Sequence, residues 1–345
     1  IPITPNDPII SGTNYHGMAG TLTIYNGATL TVNSNNMITV TDWVNVNTGG
    51  TFIINNNSSL VQVNNVTNTG NIIYRRNTNI RRLDYVYWSS PVAGFNVNNI
   101  SSPIAPGPIY NWHPTVANPN GGQGNWQAAG GSTMLPGRGY IVRGPNSFTD
   151  TPATLFGSFI GVPNNGPYTV PISRGSIQTS FTGANGTSIT NLSDNNNLLG
   201  NPYPSSIRAS QFLFDNRTKI VGNVKLWTHG NLPAIISSPF YDTYTYNYSP
   251  GDYLTYNFTG TSCCPTMGAD LFIGAGQGFF IQMLDGPAAS DVISFGNHLR
   301  SASYDNSLFY RHANQETNLE QLIPSEKSRF WLDIINFQNN SDRTL

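Results

Sequence analysis

The chain has 345 residues, only 10% of them charged, and a formal net charge of −1 at pH 7. The length allows two domains, and the near-neutral balance excludes a general electrostatic attraction to nucleic acid or anionic membranes. Asparagine (45 residues), glycine (34) and proline (23) are frequent, whereas lysine and glutamate occur three times each. Strand formers and turn formers dominate, so the composition predicts an all-β protein.

Residues 1–80 predict a β-solenoid, a parallel β-helix-like coil of short strands. Between Pro8 and Tyr74 the only formally charged residue is Asp42, and alternating apolar segments recur about every eight residues. Strands that repeat without intervening helices are typical of solenoids, and we expect asparagine at the corners, where it tolerates left-handed backbone. An antiparallel meander is the alternative. The paired apolar positions are Leu22/Ile24, Leu30/Val32, Ile38/Val40, Val44/Val46, Phe52/Ile54 and Leu60.

Four arginines fall where this repeat ends: Arg75, Arg76, Arg81 and Arg82. The end of a solenoid must be covered, because an open strand edge invites further pairing, and charge on a terminal strand helps to block it. We interpret the cluster as a structural seam between two differently built parts. A contact with an anion or glycan is the second interpretation. Nucleic acid is the least favoured, because such sites carry more basic residues among exposed aromatics.

Residues 81–315 predict an aromatic-rich β-sandwich region, with an internal duplication of the halves 83–165 and 195–300. The separation between matching segments widens from about 110 to about 138 residues, which implies longer loops in the second half. Chance similarity among glycine-rich strands is the alternative. The matching segments are WSSPV (88–92) with GNPYP (200–204), IYNW (109–112) with KLWTHG (225–230), LPGRGYIVRG (135–144) with IGAGQGFFIQ (273–282), and LFGSF (155–159) with ISFGN (293–297).

Residues 316–345 differ from the rest in charge. All three glutamates lie between 316 and 326, and the strand-like segment RFWLDIINF (329–337) follows. We expect a charged connector and then the first strand of a further β domain, with Leu345 as a truncation point.

The sequence favours no catalytic centre. Hydrolysis by paired carboxylates needs two acids that converge in a cleft, but the aspartates of the sandwich region are scattered singly. The glycine-rich stretch GAGQGF (274–279) precedes a strand-like segment, not the helix that a phosphate-binding loop needs. We therefore assign no catalytic residue.

Asp194 is a candidate for a metal contact. In the segment SDNNNLLGNPYP (193–204) its carboxylate and the asparagine oxygens could bind Ca²⁺, but a second carboxylate is missing. An asparagine-rich turn is the preferred interpretation, and no cofactor or other metal is predicted. The adjacent Cys263 and Cys264 are too close for an ordinary disulfide, so two thiols or a vicinal disulfide remain open.

Three tryptophans are candidates for ligand binding. Trp112, Trp126 and Trp227 lie in strand-like segments and could form a platform that stacks against sugars. Most aromatic residues of a β-sandwich lie in its core, which is the alternative.

Five motifs after Arg75 carry a resemblance to a known group of proteins. The sequence resembles large surface proteins of gliding and related Bacteroidetes that the type 9 secretion system exports. The resemblance implies adhesin-like repeats, export across the outer membrane, and a C-terminal sorting domain that this sequence does not include. The motifs are R-R…W-S-S-P-V (81–92), L-L-G-N-P-Y-P-S (198–205), G-Q-G-F-F (276–280), F-G-N-H-L-R (295–300) and R-F-W-L-D-I (329–334).

From these observations we expect a secreted, cell-surface structural or adhesin-like protein that acts in surface attachment or gliding-type adhesion without catalysis. Its expected partners are the type 9 translocon, associated outer-membrane components and surface glycans, but not nucleic acid. A glycan-binding module is one alternative. A glycan-active β-helix enzyme is the other, although the solenoid offers only Asp42 as an acid.

Overall fold

The computed structural model describes residues 1–4, 6–117, 123–175, 181–182, 188–189, 195–230, 252–258, 260–261, 270–286, 288–307, 309, 332–335 and 341–344. Strands hold 46% of the residues and helices 6%. The predicted all-β class is therefore confirmed. Contacts divide the chain into two compact units, Ile1–His312 and Ala313–Leu345.

The predicted β-solenoid is confirmed. Its strands form three parallel sheets, β1-β4-β7, β2-β5-β8 and β3-β6. Leu30 lies beside Phe52 and Leu22 beside Val44, so one coil comprises three strands and 22 residues; the predicted spacing of about eight is that of a single face. The strands are β1 (Ile9–Ile10), β2 (His16–Ala19), β3 (Leu22–Ile24), β4 (Thr29–Val32), β5 (Met37–Val40), β6 (Val44–Val46), β7 (Thr51–Ile54) and β8 (Ser59–Gln62).

The solenoid interior contains every apolar position that the alternation predicted, from Leu22 to Leu60, and each of them is buried. Asparagine occupies one stacked corner, as expected. Asn14, Asn35 and Asn57 have φ angles of 55°, 62° and 66°, and the Asn57 amide donates to Asn35 Oδ1 at 3.1 Å. Asparagine fits because its short side chain tolerates the left-handed region and bonds to the next coil.

The described residues of the rest of the first unit form strands of two to nine residues and an α-helix, α1 (Ala209–Asp215), which lies between β19 and β20 in the chain. The strands are β9 (Ile72–Ile80), β10 (Tyr85–Trp88), β11 (Ile109–Ala117), β12 (Gln123–Ala128), β13 (Tyr140–Arg143), β14 (Ala153–Gly161), β15 (Tyr168–Ser173), β16 (Phe181–Thr182), β17 (Ser188–Ile189), β18 (Asn196–Gly200), β19 (Ile207–Arg208), β20 (Asn223–Trp227), β21 (Tyr253–Asn257), β22 (Gly260–Thr261), β23 (Phe272–Ile273), β24 (Gly278–Gln282) and β25 (Ser290–Phe295).

The strand topology of the first unit contains a repeat. In the first copy β10, β13, β11 and β12 form one antiparallel sheet, while the leading strand β9 pairs with the closing strand β14. In the second copy β18, β24, β20 and β21 form a sheet in the matching order, and β15 pairs with β25. The same order of six strands recurs. It begins at β9 and at β15, outside the predicted halves 83–165 and 195–300, so those bounds stay predictions.

The registers shift the sequence matches by one residue. Trp88 lies opposite Tyr140 in the first copy, and Leu199 lies opposite Phe279 in the second. When Tyr140 and Phe279 are taken as equivalent, Trp88 corresponds to Leu199 instead of Gly200, and this alignment is the one that the reciprocal contacts between the copies follow. Sequence comparison alone missed this shift because glycine and proline recur on both sides of the true match.

The two copies meet about a pseudo-two-fold axis. The Ser89 amide donates to the Gly276 carbonyl at 2.8 Å, and the Gly200 amide donates to the Gly137 carbonyl at 3.0 Å. Ser89 is equivalent to Gly200, and Gly276 to Gly137, so one contact is made twice in opposite directions. Isolated bridges between the copies obey the same symmetry: Trp88 with Gln277, and Leu199 with Arg138.

Both copies cover the C-terminal end of the solenoid. Strand β9 continues the first solenoid sheet, because it pairs in parallel with β7. On the second sheet the Leu60 amide donates to the Pro204 carbonyl at 2.8 Å, and Arg300 Nη2 donates to the Leu60 carbonyl at 2.6 Å. One apolar core joins the solenoid interior to the first copy, and another lies within the second copy. The boundaries predicted for 1–80, 81–315 and 316–345 stay predictions.

The second unit contains an antiparallel pair of strands, β26 (Leu332–Ile335) and β27 (Ser341–Thr344). Strand β26 lies within the segment 329–337, which the sequence predicted to be extended.

Candidate binding site at an aromatic cluster between the two copies

An aromatic cluster fills the space between the two main sheets. Side chains along a strand point alternately to its two faces. Those on one face enter the two larger apolar cores, and those on the other face form this cluster. The buried members are Tyr87, Ile141, Leu198, Trp227 and Phe280. The half-buried members around them are Tyr85, Tyr110, Trp112, Trp126 and Tyr253.

Two ring pairs in the cluster are related by the pseudo-two-fold axis. Trp112 lies opposite Trp126 on β11 and β12, as Trp227 lies opposite Tyr253 on β20 and β21. The ring centroids of the first pair are 5.0 Å apart at 73°, and those of the second are 4.9 Å apart at 66°. Such edge-to-face contacts are the favoured arrangement of aromatic rings. Both copies therefore present an aromatic pair at the equivalent position, Trp with Trp in the first copy and Trp with Tyr in the second.

Hydrogen bonds fix the rings of the cluster. The Trp112 indole Nε1 donates to the Asn196 carbonyl of the other copy at 2.8 Å. The hydroxyls of Tyr87 and Tyr253 are 2.6 Å apart and also link the copies. Lys225 lies opposite Phe280, and burial lowers the pKa of its ammonium group. The cluster thus combines aromatic faces, hydroxyl groups and one cation.

The three tryptophans predicted as ligand contacts come together in this cluster, but their exposure differs. Trp112 and Trp126 are half-buried, whereas Trp227 is only 5% exposed and belongs to the core. Trp112 and Trp126 are therefore more accessible than Trp227.

Other predicted sites lie elsewhere. Asp194, and with it the Ca²⁺ candidate, lies outside the described residues, as do Cys263 and Cys264. Within the described ranges, no three His, Cys, Asp or Glu side chains group as metal ligands would.

The seam arginines have different environments. Arg75 is exposed on β9 and donates to Asn55 at 3.1 Å, and Arg82 is exposed in the turn that follows. Arg81 pairs with Asp84 at 2.8 Å and donates to a carbonyl of the second copy, at His229.

Arg76, by contrast, is completely buried on β9. Nη1 of Arg76 donates to the Asn306 carbonyl, and burial lowers the pKa of the guanidinium.

Sequence reasoning missed a buried polar junction between the solenoid and the second copy. Arg300 stacks over the Tyr203 ring, 4.5 Å from its centroid, and donates to Ser205 Oγ at 2.8 Å. The Tyr203 hydroxyl donates to the Gly166 carbonyl at 2.7 Å. Burial lowers the pKa of Arg300 to about 10 and raises that of Tyr203. The motifs LLGNPYPS and FGNHLR meet here, which gives them a structural role.

Comparison with known proteins gives one match. A family model described as a domain of unknown function, DUF8693, matches residues 1–345. No curated protein and no solved structure matches the chain. In the part of the chain that the structure describes, no helix is long and apolar enough to cross a membrane.

Proposed function

This chain belongs to the DUF8693 family, and we propose that it is a non-catalytic cell-surface module with a structural or adhesin-like role that binds glycans at Trp112 and Trp126. The observation that carries the proposal is the aromatic cluster, where two equivalent ring pairs meet and one of them is half-buried. The role in surface attachment comes from the resemblance to exported surface proteins.

The rigid link between solenoid and body supports a structural role. Strand β9 belongs to the solenoid sheet and also makes nine register pairs with β14 in the first copy. Arg300 ties the second copy to the same solenoid end. A shared strand resists the hinge motion that is usual between domains, so a ligand bound to the body keeps a fixed position relative to the solenoid.

The chemistry of the cluster supports a sugar as the ligand. Indole faces offer large, rigid contact areas with little loss of side-chain entropy. Tyr110 and Tyr253, which flank the tryptophans, bring hydroxyl groups that could exchange hydrogen bonds with a sugar. Apolar surface with a few convergent polar groups is the usual composition of a small-ligand site.

Binding to a glycan array tests this proposal. We expect Trp126→Ala to remove binding while the circular dichroism spectrum stays that of the native fold. Trp43→Ala is the matched control, because Trp43 is 45% exposed on the solenoid, away from the cluster, and its loss should leave binding unchanged. Equal binding by both variants would refute the site, and turnover of a bound polysaccharide would favour the enzyme alternative.

Export is the second part of the proposal. The resemblance names the type 9 translocon and its outer-membrane components as partners, and the cell surface as the destination. Surface labelling of cells with and without a working secretion system tests it. The protein should be labelled only in the secreting strain, and an unchanged cytoplasmic location in both strains would refute export.

A further inference from the structure

The Arg76 guanidinium has an unused hydrogen-bonding edge. The side chain is 0% exposed. Its Nη1 donates to the Asn306 carbonyl at 2.5 Å and to Asn57 Oδ1 at 3.4 Å. Nε and Nη2, which form the other edge, have no hydrogen-bond partner among the described residues.

Other arginines of the molecule use this edge. Nε and Nη2 of Arg208 hold the two carboxylate oxygens of Asp270 at 3.0 and 2.7 Å. The same atoms of Arg300 donate to Ser205 and Leu60. A buried guanidinium that lacks acceptors has lost its hydration without replacement, which costs several kcal/mol. Tyr74 and Asp305 favour the charged guanidinium of Arg76, but Nε and Nη2 have no hydrogen-bond partner among the described residues, so this edge is open to an external acceptor.

Two more buried polar groups near Arg76 lack a partner in the described part of the chain. They are Thr78 Oγ1, on the same face of β9, and the indole Nε1 of Trp88. The guanidinium contacts the Phe309 ring, with Cζ 4.9 Å from its centroid, and the Trp88 ring packs against Phe309 with centroids 4.7 Å apart. Indole and guanidinium groups can only donate, so an acceptor, preferably an anion, would satisfy them.

A polar cavity at the corner of the solenoid shares two neighbours with Arg76: Thr78 on the same face of β9, and Phe309, whose ring the guanidinium contacts. Its volume is about 140 Å³, which is room for one small ring or about five water molecules. Asparagine amides can exchange hydrogen bonds with hydroxyl groups, and the Phe309 ring offers an apolar face. The cavity is lined by Asn56, Asn57, Asn77, Thr78, Asn79, Ser307 and Phe309.

We propose that Arg76 and this cavity form a carboxylate-binding site for an acidic sugar such as a uronate. The carboxylate would lie on the Nε/Nη2 edge in the bidentate geometry that Arg208 shows with Asp270, and the sugar hydroxyls would face the asparagines. Each edge nitrogen exposes less than 1 Å², so the Phe309 ring must move aside for binding, and association is expected to be slow. The site is separate from the aromatic cluster.

Calorimetric titration with sodium glucuronate, sodium acetate and glucose at equal ionic strength tests the site. We expect glucuronate to bind best. Arg76→Met should weaken it about ten- to hundred-fold, the loss expected for a charge-assisted hydrogen-bond pair. Arg75→Met is the matched control, because Arg75 is the exposed neighbour of Arg76 on β9. This variant should bind glucuronate as tightly as the native protein.

The other possible outcomes show whether the site recognises an acidic sugar, any carboxylate, or neither. Acetate that binds as tightly as glucuronate, and depends on Arg76, would support a carboxylate site but overturn the acidic sugar. Equal titrations of the native protein and Arg76→Met would overturn the site. Trp126→Ala should keep its affinity for glucuronate, which separates this proposal from glycan binding at the aromatic cluster.

A structural readout covers the case in which Arg76→Met does not fold. Crystals of the native protein grown with glucuronate should show carboxylate oxygens within about 3 Å of both Nε and Nη2. Water molecules on that edge in the presence of glucuronate would overturn the proposal.

Discussion

The two copies of the β-module have equivalent strands, but different neighbours cover them. In the first copy the leading strand β9 also belongs to the solenoid, and the inner face of the sheet packs into the solenoid core. In the second copy β15 pairs with β25, and the core is closed by α1. Phe212 of α1 packs edge-to-face against Phe279 at 5.4 Å. One topology is thus stabilised by a solenoid in one copy and by a helix in the other.

The contrast also shows where the copies had to stay alike. Near the pseudo-two-fold axis both copies carry small residues, and a Cβ placed on Gly200 would lie 2.2 Å from Ser89 Cβ. Away from the axis the equivalent positions differ, as with Tyr110 and Lys225, which both lie beside the central strand. Close approach of the backbones requires small residues near the axis, whereas equivalent positions farther from it carry different side chains.

The largest predicted effect concerns the equivalent tryptophans. Trp227→Ala should lower the free energy of unfolding by about 3–5 kcal/mol, because it empties a buried core position. Trp112→Ala should cost no more than about 2 kcal/mol, because the side chain is only partly buried. Urea unfolding measures both. Equal losses would contradict the different burial of the two rings.

The second prediction compares equivalent glycines at the axis. A Cβ on Gly139 would lie 2.5 Å from the Leu199 carbonyl oxygen, whereas a Cβ on Gly278 would lie 3.0 Å from Tyr87 Cβ. Gly139→Ala should therefore cost about 3 kcal/mol and Gly278→Ala about 1 kcal/mol, within the range for overpacking. Thermal unfolding would show the difference, and the reverse order would contradict the tighter approach at Gly139.

The third and smallest effect depends on pH. Burial raises the pKa of Tyr203 above its ordinary value, so above pH 10 the unfolded chain loses a proton that the folded chain keeps. Stability from this group is complete below about pH 10 and falls as the pH rises further. Tyr203→Phe should cost about 1 kcal/mol at pH 7 through its lost hydrogen bond, yet make the alkaline decline shallower. Urea unfolding from pH 7 to 11 measures both, and an unchanged slope would contradict the raised pKa.

Local regularity made the solenoid predictable from sequence. Alternation between apolar and polar residues identified its interior from Leu22 to Leu60, and asparagine identified a corner. The number of strands in a coil could not be predicted, because the three faces carry similar residues. The helix α1 was missed because seven residues are too few to show a helical period.

The candidate site was less predictable than the fold. Sequence suggested Trp112, Trp126 and Trp227 as a group, but the strand registers and the axis decided that Trp227 is core. The burial of Arg76 had a signal that was overlooked, since alternation from Tyr74 on β9 places it on the inner face. An arginine at an inner position of a strand indicates either a buried network or a ligand.

The reciprocal contact between Ser89–Gly276 and Gly200–Gly137 has a consequence for ancestry. A self-complementary contact about a two-fold axis is the arrangement of an isologous homodimer. A single ancestral module that carried both halves of this contact could have associated with its own copy, to an extent that depends on its concentration. Fusion into one chain replaces that association with a high effective concentration. In the present chain one half is attached to the solenoid, and the other contains its own helix.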